Sequence, residues 1–239
     1  MGFFDEYPRF QQSSRTGSNA NRLNGRHEAL IEANRDAIEG ATVLDIASHD
    51  GRWSFAAIKA GASHVVGIEA RAHLVARALG AMAAEGVPEG RYEFLLGDVH
   101  ELLGSFEPGR FTTVFCFGFL YHTIQAATVL EGIARLRPAH LLIDTAVIKS
   151  NVPLIFLTHD DPNEDGSAVR TAGESQRALL VGVPSGPGLE LMLDAAGFNF
   201  TYYDWPARYH GDWLQLVEYR EGSRVTVRAM PKQQFAAGR

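Results

Sequence analysis

Between residues 42 and 145, short apolar runs alternate with longer amphipathic windows in a unit that recurs roughly every 25 residues. The apolar runs predict β-strands at 42–47, 64–69, 92–96, 112–117 and 140–145. The amphipathic windows predict helices at 52–59, 71–85 and 123–136. Strands joined by helices are typical of a parallel sheet that is covered on both faces. We therefore predict an α/β fold with a Rossmann-like, doubly wound sheet.

The regions on either side of this repeat have weaker signals. Residues 11–26 are polar and turn-rich, which indicates a loop or lid, and residues 27–38 have helical spacing that stops before Gly40. The acidic stretch 159–173 predicts a surface excursion. The C-terminal part predicts a helix at 188–196 and β segments at 199–205, 212–219 and 224–230, the last two joined by a tight hairpin at Glu221-Gly222.

The net charge limits the kind of partner, and the cysteine content limits the kind of compartment. The chain has 22 Lys plus Arg against 28 Asp plus Glu, a formal net charge of −6, and so lacks the basic excess that binding to nucleic-acid phosphates usually requires. The single cysteine, Cys116, excludes an intrachain disulfide and fits a reducing compartment. No signal-peptide core and no run of about 18 apolar residues is found. We expect a cytoplasmic protein with a small-molecule partner and no membrane, and nucleic acid is disfavoured.

Acidic residues stand at the ends of three consecutive predicted strands. Asp45 opens the turn 45–51 (DIASHDG), Glu69 ends the second strand, and Asp98 follows the third. The carboxyl ends of parallel strands meet at one edge of the sheet, where ligands bind. Glu69 lies 24 residues after Asp45 (69 − 45), a spacing at which a carboxylate can accept hydrogen bonds from both hydroxyls of a ribose. The pattern favours a nucleotide or adenosyl ligand.

With these motifs, residues 43–145 resemble the class I S-adenosylmethionine-dependent methyltransferases. The first motif of that family, an acid followed by Gly-x-Gly-x-Gly, corresponds to the turn 45–51, in which Ala47 and His49 stand where glycines are usual. We therefore expect a less tight loop. A Rossmann dehydrogenase would need Gly-x-Gly-x-x-Gly to admit a pyrophosphate, and two of those glycines are missing.

The resemblance implies S-adenosylmethionine as the cofactor and S-adenosylhomocysteine as its product. The turn 45–51 would face the methionine end of the cofactor, Glu69 the ribose, Asp98 and Val99 the adenine, and the segment 117–122 (FGFLYH) the sulfonium. The implied cofactor-binding residues are Asp45, Ala47, Ser48, His49, Gly51, Glu69, Asp98, Val99, Phe117 and Leu120.

A narrower resemblance links the segments 114–122, 142–145, 183–185 and 196–198 to the methyltransferase domain of the tRNA wobble-uridine carboxymethyltransferases and their small-molecule relatives. The Tyr-His pair in the first segment is its most specific element. The basic N-terminal extension of those tRNA enzymes is hardly present here. The resemblance therefore implies the fold and the site but not the substrate.

His122 and Tyr121 are the candidate catalytic residues. Methyl transfer from a sulfonium chiefly requires alignment, and a base helps when the acceptor is an alcohol or phenol. His122 is the first candidate because imidazole titrates near neutrality, with Tyr121 second. The alternatives are that His122 makes only a local hydrogen bond at a helix start and that the Tyr121 ring only packs over the ligands.

Five further residues are candidates for binding the acceptor. Arg15 and Arg26, with Arg22 between them, could clamp an anionic substrate or the cofactor carboxylate, or be solvated. Tyr209 and Trp213 could line an acceptor pocket or cap the core. The run 159–161 (His-Asp-Asp), with Asp144, could in principle bind a hard metal ion, but a solvated loop is favoured and we expect no metal.

Together these patterns predict a single methyltransferase domain over residues 1–239, with a seven-stranded, mostly parallel sheet that ends in antiparallel strands. Its parts are an N-terminal cap and helix at 1–39, a cofactor-binding half at 40–147, an acceptor-side insertion at 148–178, and a C-terminal helix and hairpin at 179–239. The predicted reaction is O-methylation of a small molecule. The alternatives are a tRNA nucleoside-modifying enzyme that uses the same cofactor or its carboxylated form, and a non-catalytic adenosyl-binding or scaffold protein.

Overall fold

A computed structural model describes residues 1–11, 19–169 and 179–232. Within these ranges the β-strands are β1 (Thr42–Ile46), β2 (His64–Glu69), β3 (Tyr92–Leu96), β4 (Thr113–Phe117), β5 (His140–Ala146), β6 (Ile155–Asp160), β7 (Leu179–Pro184), β8 (Phe198–Tyr202) and β9 (Arg224–Pro231). Seven of them form one sheet in the order β3-β2-β1-β4-β5-β9-β8, and β6 pairs with β7 in a separate two-stranded sheet.

The helices follow the strands in the alternation that the sequence predicts. They are α1 (Phe3–Glu6), α2 (Ala20–Leu30), α3 (Arg35–Ile38), α4 (Arg52–Lys59), α5 (Ala72–Ala84), α6 (Val99–Leu102), α7 (Ala126–Arg135), α8 (Gly186–Ala195), α9 (Trp205–Arg208) and α10 (Val217–Arg220). Short 3₁₀ turns lie at Pro8–Gln11, Glu32–Asn34, Glu89–Arg91, Leu103–Ser105, Leu120–His122 and Trp213–Gln215.

The strand directions decide which chain segments meet at one edge of the large sheet. β1 to β5 run parallel to one another, whereas β9, which lies between β5 and β8, runs antiparallel to both. The carboxyl ends of β1 to β5 therefore share an edge with the amino end of β9, where Arg224 pairs with Ala146. This arrangement confirms the predicted Rossmann-like, seven-stranded, mostly parallel sheet.

The two faces of the sheet are buried in two separate hydrophobic clusters. Leu44 and Ile46 of β1 belong to one cluster, which includes residues of α7 and α8. Val43 of the same strand belongs to the other, which includes residues of α1, α2 and α4. Side chains alternate between faces along a strand, and a strand covered on both sides is apolar throughout. This explains why the central strands were predictable as continuous apolar runs.

The predicted strand at 212–219 is wrong. These residues form a 3₁₀ turn and helix α10, so the predicted hairpin at Glu221-Gly222 does not form, and β9 pairs instead with β8. The buried residues Leu216 and Tyr219 are three positions apart and pack together in a small aromatic cluster. A spacing of three brings side chains to the same face of a helix, and packing therefore selected helix over strand.

The predictions for the two irregular regions also need correction. α2 begins at Ala20, where the Asn19 side chain accepts a hydrogen bond from the Arg22 amide, so residues 20–26 are helical rather than a loop. The insertion at 148–178 contains strand β6, whose residues 155–160 pair antiparallel with 184–179 of β7. The backbone hydrogen bonds of β6 are made to a distant segment, which local turn signals do not reveal.

Candidate active site

A cavity of about 320 Å³ lies over the edge of the sheet where the carboxyl ends of the parallel strands meet. Residues that follow β1, β2, β3 and β4 line one part of it, and residues of α2, β7, β9 and the segment 165–169 line the rest. Ligands of open α/β sheets bind in such a crevice. The sheet topology therefore places this cavity where the sequence predicts a ligand.

The turn after β1 has a left-handed backbone at three alternate positions. The φ angles of Ala47, His49 and Gly51 are 54°, 54° and 77°, in the region that glycine adopts without steric cost. The amide of Ser48 donates to the carbonyl of Ile68 at 2.8 Å. The less tight loop expected from the missing glycines is not observed, because Ala47 and His49 take up the glycine conformation.

Asp45 is buried beneath this turn. Its Oδ2 atom accepts a hydrogen bond of 2.6 Å from the hydroxyl of Ser54 on α4, and burial raises the pKa of Asp45 to about 7. A buried carboxyl group is neutral over a wider pH range than an exposed one. Asp45 thus connects β1 to α4 and does not line the cavity.

Glu69, at the end of β2, lines the cavity and is almost completely buried. Its Oε2 atom accepts a hydrogen bond from the amide of His49 at 3.0 Å, and its Oε1 atom accepts one from the amide of Arg71 at 2.9 Å. A carboxylate held by two backbone amides has little freedom to rotate. Glu69 therefore joins the turn after β1 to the start of α5 and faces the cavity in a fixed position.

Asp98 caps the short helix α6 at the next strand end. Its Oδ1 atom accepts a hydrogen bond of 2.7 Å from the amide of His100, and both Asp98 and Val99 line the cavity. Two carboxylates from neighbouring strands thus lie along one side of the cavity. Such groups can accept hydrogen bonds from hydroxyl and amino groups of a ligand.

His122 forms a hydrogen-bonded pair with an acid from the insertion. Its Nδ1 atom contacts the Oδ2 atom of Asp160, at the end of β6, and this oxygen also accepts from the amide of Ala168 at 2.9 Å. Burial alone would raise the pKa of Asp160, but the hydrogen bonds from His122 and Ala168 hold it below its ordinary value. With Nδ1–H directed to a carboxylate, Nε2 is the ring nitrogen that can accept a proton.

Tyr121 lies between this pair and a buried arginine. Its ring centroid is 4.1 Å from that of His122, and its hydroxyl accepts a hydrogen bond of 3.4 Å from Nη1 of Arg224. The guanidinium carbon of Arg224 is 5.4 Å from the centre of the Tyr121 ring. Tyr121 is thereby held at the cavity by a hydrogen bond and a cation–π contact.

Three buried arginines, Arg22, Arg26 and Arg224, line the same side of the cavity and are called the arginine wall below. Asp144, at the end of β5, accepts hydrogen bonds from Nη2 of Arg26 at 3.1 Å and from Nε of Arg224 at 2.6 Å. Burial would raise the pKa of Asp144, but the two guanidiniums hold it below its ordinary value. The hydroxyl of Tyr219 donates to the same carboxylate at 2.7 Å.

Comparison with known proteins agrees with this geometry. Residues 43–138 match the family model of a methyltransferase domain. This part of the chain is therefore similar to a methyltransferase domain. No sequence among the curated proteins matches the chain.

Solved structures with the same fold have low sequence identity to this chain. The N-terminal domain of EvdMO1 with SAH bound has a TM-score of 0.69 and 18% identity, over 92% of this chain and 85% of that one. For an S-adenosylmethionine dependent methyltransferase from Listeria monocytogenes the values are 0.61 and 11%, over 87% and 97%. For the [4+2]-cyclase SpnF they are 0.59 and 15%, over 93% and 85%.

The structure brings most, but not all, of the predicted cofactor residues to the cavity. Those that line it are Ala47, His49, Glu69, Asp98, Val99 and Phe117. Ser48 and Gly51 lie in the turn but outside the lining, and Leu120 is buried in the core with α7. The candidate catalytic residues Tyr121 and His122 line the cavity together.

The predicted acceptor-binding residues are more scattered. Arg26 lines the cavity, whereas Tyr209 and Trp213 pack with Trp205 in the aromatic cluster and do not line it. Arg15 lies outside the described residues. Within the described ranges, no group of three His, Cys, Asp or Glu side chains is arranged to hold a metal ion, and no helix is long and apolar enough to cross a membrane.

Two contacts at the cavity are not predicted by the sequence. The sequence pattern indicates Asp160 only as a possible metal ligand, and it does not pair Asp144 with Arg224. The apolar run 154–157 before Asp160 was the available signal for a strand that ends in an acid. For Arg224, the signal was its place at the start of a strand that pairs with β5.

Proposed function

We propose that the protein transfers the methyl group of S-adenosylmethionine to an oxygen atom of a small-molecule acceptor. The observation that carries the proposal is the hydrogen-bonded pair of His122 and Asp160 in the same cavity as the strand-end acids Glu69 and Asp98. The acids are suited to an adenosyl ligand and the pair is suited to proton removal. A base is useful chiefly when the acceptor is a hydroxyl group, which favours O-methylation.

The residues around the turn after β1 fit the cofactor. The left-handed backbone at Ala47, His49 and Gly51 lets the chain approach a ligand closely. Glu69 would hold the ribose hydroxyls, and Asp98 with Val99 would hold the adenine. When bound, S-adenosylmethionine supplies a methyl group on a sulfonium, so that a neutral thioether leaves.

The residues of the chain would then position the acceptor and move one proton. The Nε2 atom of His122 would accept the proton of the acceptor hydroxyl as the oxygen attacks. The carboxylate of Asp160 would hold the imidazole in the required tautomer and stabilise the imidazolium that forms. Tyr121, fixed by Arg224, would pack against the acceptor.

The size and lining of the cavity favour a small acceptor. Near His122 the lining includes Phe119, Ile124, Leu179 and Leu180, which give this part of the cavity an apolar surface against which a small molecule can pack. The proposal of a small-molecule acceptor rests on the size of the cavity, about 320 Å³, and on the formal charge of −6.

Two alternatives are weighed against this proposal. The resemblance to tRNA-modifying enzymes stays a prediction. The missing glycines at Ala47 and His49 would favour the non-catalytic alternative, but the turn keeps the left-handed geometry. A neighbour named as a [4+2]-cyclase has the same fold, which means that the fold alone does not fix the reaction.

Calorimetric titration with S-adenosylhomocysteine tests the cofactor site. We expect saturable binding to the parent protein and an affinity at least tenfold lower for Glu69→Ala. Glu93→Ala, which removes a half-exposed acid of β3 that pairs with Arg110, is the matched control and should bind like the parent. Absence of binding to the parent protein would overturn the proposal, and unchanged affinity of Glu69→Ala would overturn the ribose assignment.

A further inference from the structure

Among the described residues, the arginine wall carries more positive charge than its paired carboxylates carry negative charge. Arg22 forms an ion pair with Glu218, while Arg26 and Arg224 share the single carboxylate of Asp144. Among the described residues, three guanidiniums thus contact two carboxylates. All three arginines are more than nine-tenths buried, and a buried charge without a counter-charge is unfavourable. The wall is therefore suited to one further negative charge.

Two nitrogen atoms of the wall have no hydrogen-bond partner among the residues described. They are the Nε atoms of Arg22 and Arg26, and both are shielded from solvent. Other donors of these side chains are engaged, since Nη1 of Arg22 donates to the carbonyl of Gln215 at 2.7 Å and Nη2 of Arg26 donates to Asp144. Buried donors in proteins are nearly always paired. Two unpaired donors and one excess charge match an anion with two oxygen atoms.

The sheet order places part of the arginine wall on the far side of the cavity from the strand-end acids Glu69 and Asp98. Glu69 ends β2 and Asp98 follows β3, whereas Asp144 lies near the end of β5 and Arg224 begins β9. Neighbouring strands are about 4.8 Å apart, so β5 and β9 lie roughly 10 and 14 Å from β1 across the sheet. Arg224 also touches Tyr121, next to His122. The excess charge therefore adjoins the proposed base.

We infer that the arginine wall binds a carboxylate of the methyl acceptor. This inference rests on the proposed function, and it narrows the acceptor to hydroxyl compounds that carry a carboxylate, which Arg22 and Arg26 bind while His122 receives the hydroxyl proton. Arginine is well suited to carboxylate recognition because its planar donors match the two oxygen atoms. The aromatic lining from Trp53, Phe117 and Tyr121 favours a planar acceptor.

Calorimetry on the full chain saturated with S-adenosylhomocysteine tests this inference. The probes are the three monohydroxybenzoates and lactate, each compared with its own primary amide, which has nearly the same shape and no charge. We expect at least one acid to bind tenfold or more tightly than its amide. The preference should disappear in Arg26→Gln, weaken in Arg26→Lys and persist in Arg220→Gln, which removes an exposed arginine of α10.

The outcomes separate this inference from the proposed function. If the parent protein does not bind S-adenosylhomocysteine, the proposed function fails. If it binds S-adenosylhomocysteine but no acid binds more tightly than its amide, only the carboxylate inference is overturned. It is also overturned if Arg26→Gln lowers the affinity for S-adenosylhomocysteine tenfold but not that for methylthioadenosine, because the wall then holds the carboxylate of the cofactor. Unchanged affinity for S-adenosylhomocysteine shows that Arg26→Gln is folded.

Discussion

The Nδ1 atom of His122 is hydrogen-bonded to the carboxylate of Asp160, 38 residues further along the chain. The histidine follows β4 of the large sheet, and the acid ends β6 of the small one. Their contact ties the two sheets together at the cavity. A histidine fixed in this way has one tautomer and one ring orientation, which are the properties a general base requires.

Removing either member of this pair should impair turnover more than cofactor binding. Once an acceptor has been found with radiolabelled S-adenosylmethionine, we expect His122→Ala to lower kcat by roughly 10²- to 10⁴-fold, the usual contribution of a general base. Asp160→Asn should have a smaller effect in the same direction. His210→Ala, an exposed histidine outside the cavity, is the control. Equal losses in kcat and in affinity for S-adenosylhomocysteine would contradict the base assignment.

Replacing Ala47 by glycine should not destabilise the fold. The left-handed conformation costs a non-glycine residue about 1 kcal/mol, whereas the greater freedom of glycine in the unfolded chain costs about 0.4–1 kcal/mol. We therefore expect Ala47→Gly to leave the free energy of unfolding unchanged or to raise it by up to about 1 kcal/mol. Ala83→Gly, in the exposed part of helix α5, should lower it by about 1 kcal/mol. Urea denaturation of both variants measures the difference, and an equal loss in both would be inconsistent with the left-handed turn.

Asp45→Asn should change how stability depends on pH. Burial raises the pKa of Asp45 from 3.8 to about 7, so the folded protein holds a proton that the unfolded chain has lost between these values. Asp45 therefore makes the folded state less stable as the pH rises from about 4 to about 7. Relative to the parent, Asp45→Asn should gain free energy of unfolding across this window, on the order of 4 kcal/mol at pH 8. Urea denaturation at several pH values measures it, and a constant difference between the two proteins would refute the assignment.

Asp144→Asn should be strongly destabilising. The substitution removes the carboxylate shared by Arg26 and Arg224, leaves buried guanidiniums without their counter-charge, and should cost about 3–5 kcal/mol. The control is Asp36→Asn, because Asp36 accepts hydrogen bonds from Arg228 at 2.9 and 2.7 Å on the surface. Exposed pairs contribute less than about 1 kcal/mol. Chemical denaturation should separate the two variants clearly, and similar losses would argue against the buried network.

The sequence predicted the elements of the repeated βα region well, because both ends of each strand carry signals. The predicted bounds of β2 and β3 coincide with the structure, and the apolar runs are long enough to be buried on both sides. The strand-end acids Glu69 and Asp98 followed from the same regularity. Their position at one edge is a consequence of parallel topology and can therefore be predicted without knowledge of distant contacts.

The remaining part of the site depends on contacts that a local pattern does not encode. Arg26 reaches Asp144 across 118 residues and Arg224 reaches it across 80. The role of Asp160 depends on the pairing of β6 with β7, and the helix at Val217–Arg220 depends on packing against Trp205. Spacing in the sequence identified the residue types, whereas tertiary packing decided which of them meet.

The separate two-stranded sheet also affects how the cavity can differ between related chains. Asp160 belongs to β6, and the cavity-lining residues Leu179 and Leu180 belong to β7. The strand-end acids Glu69 and Asp98, in contrast, lie at the edge of the large sheet. Under the proposed function, an exchange of this segment between related chains would change part of the acceptor surface together with the partner of His122. The arginine wall and the acids Glu69 and Asp98 would stay in place.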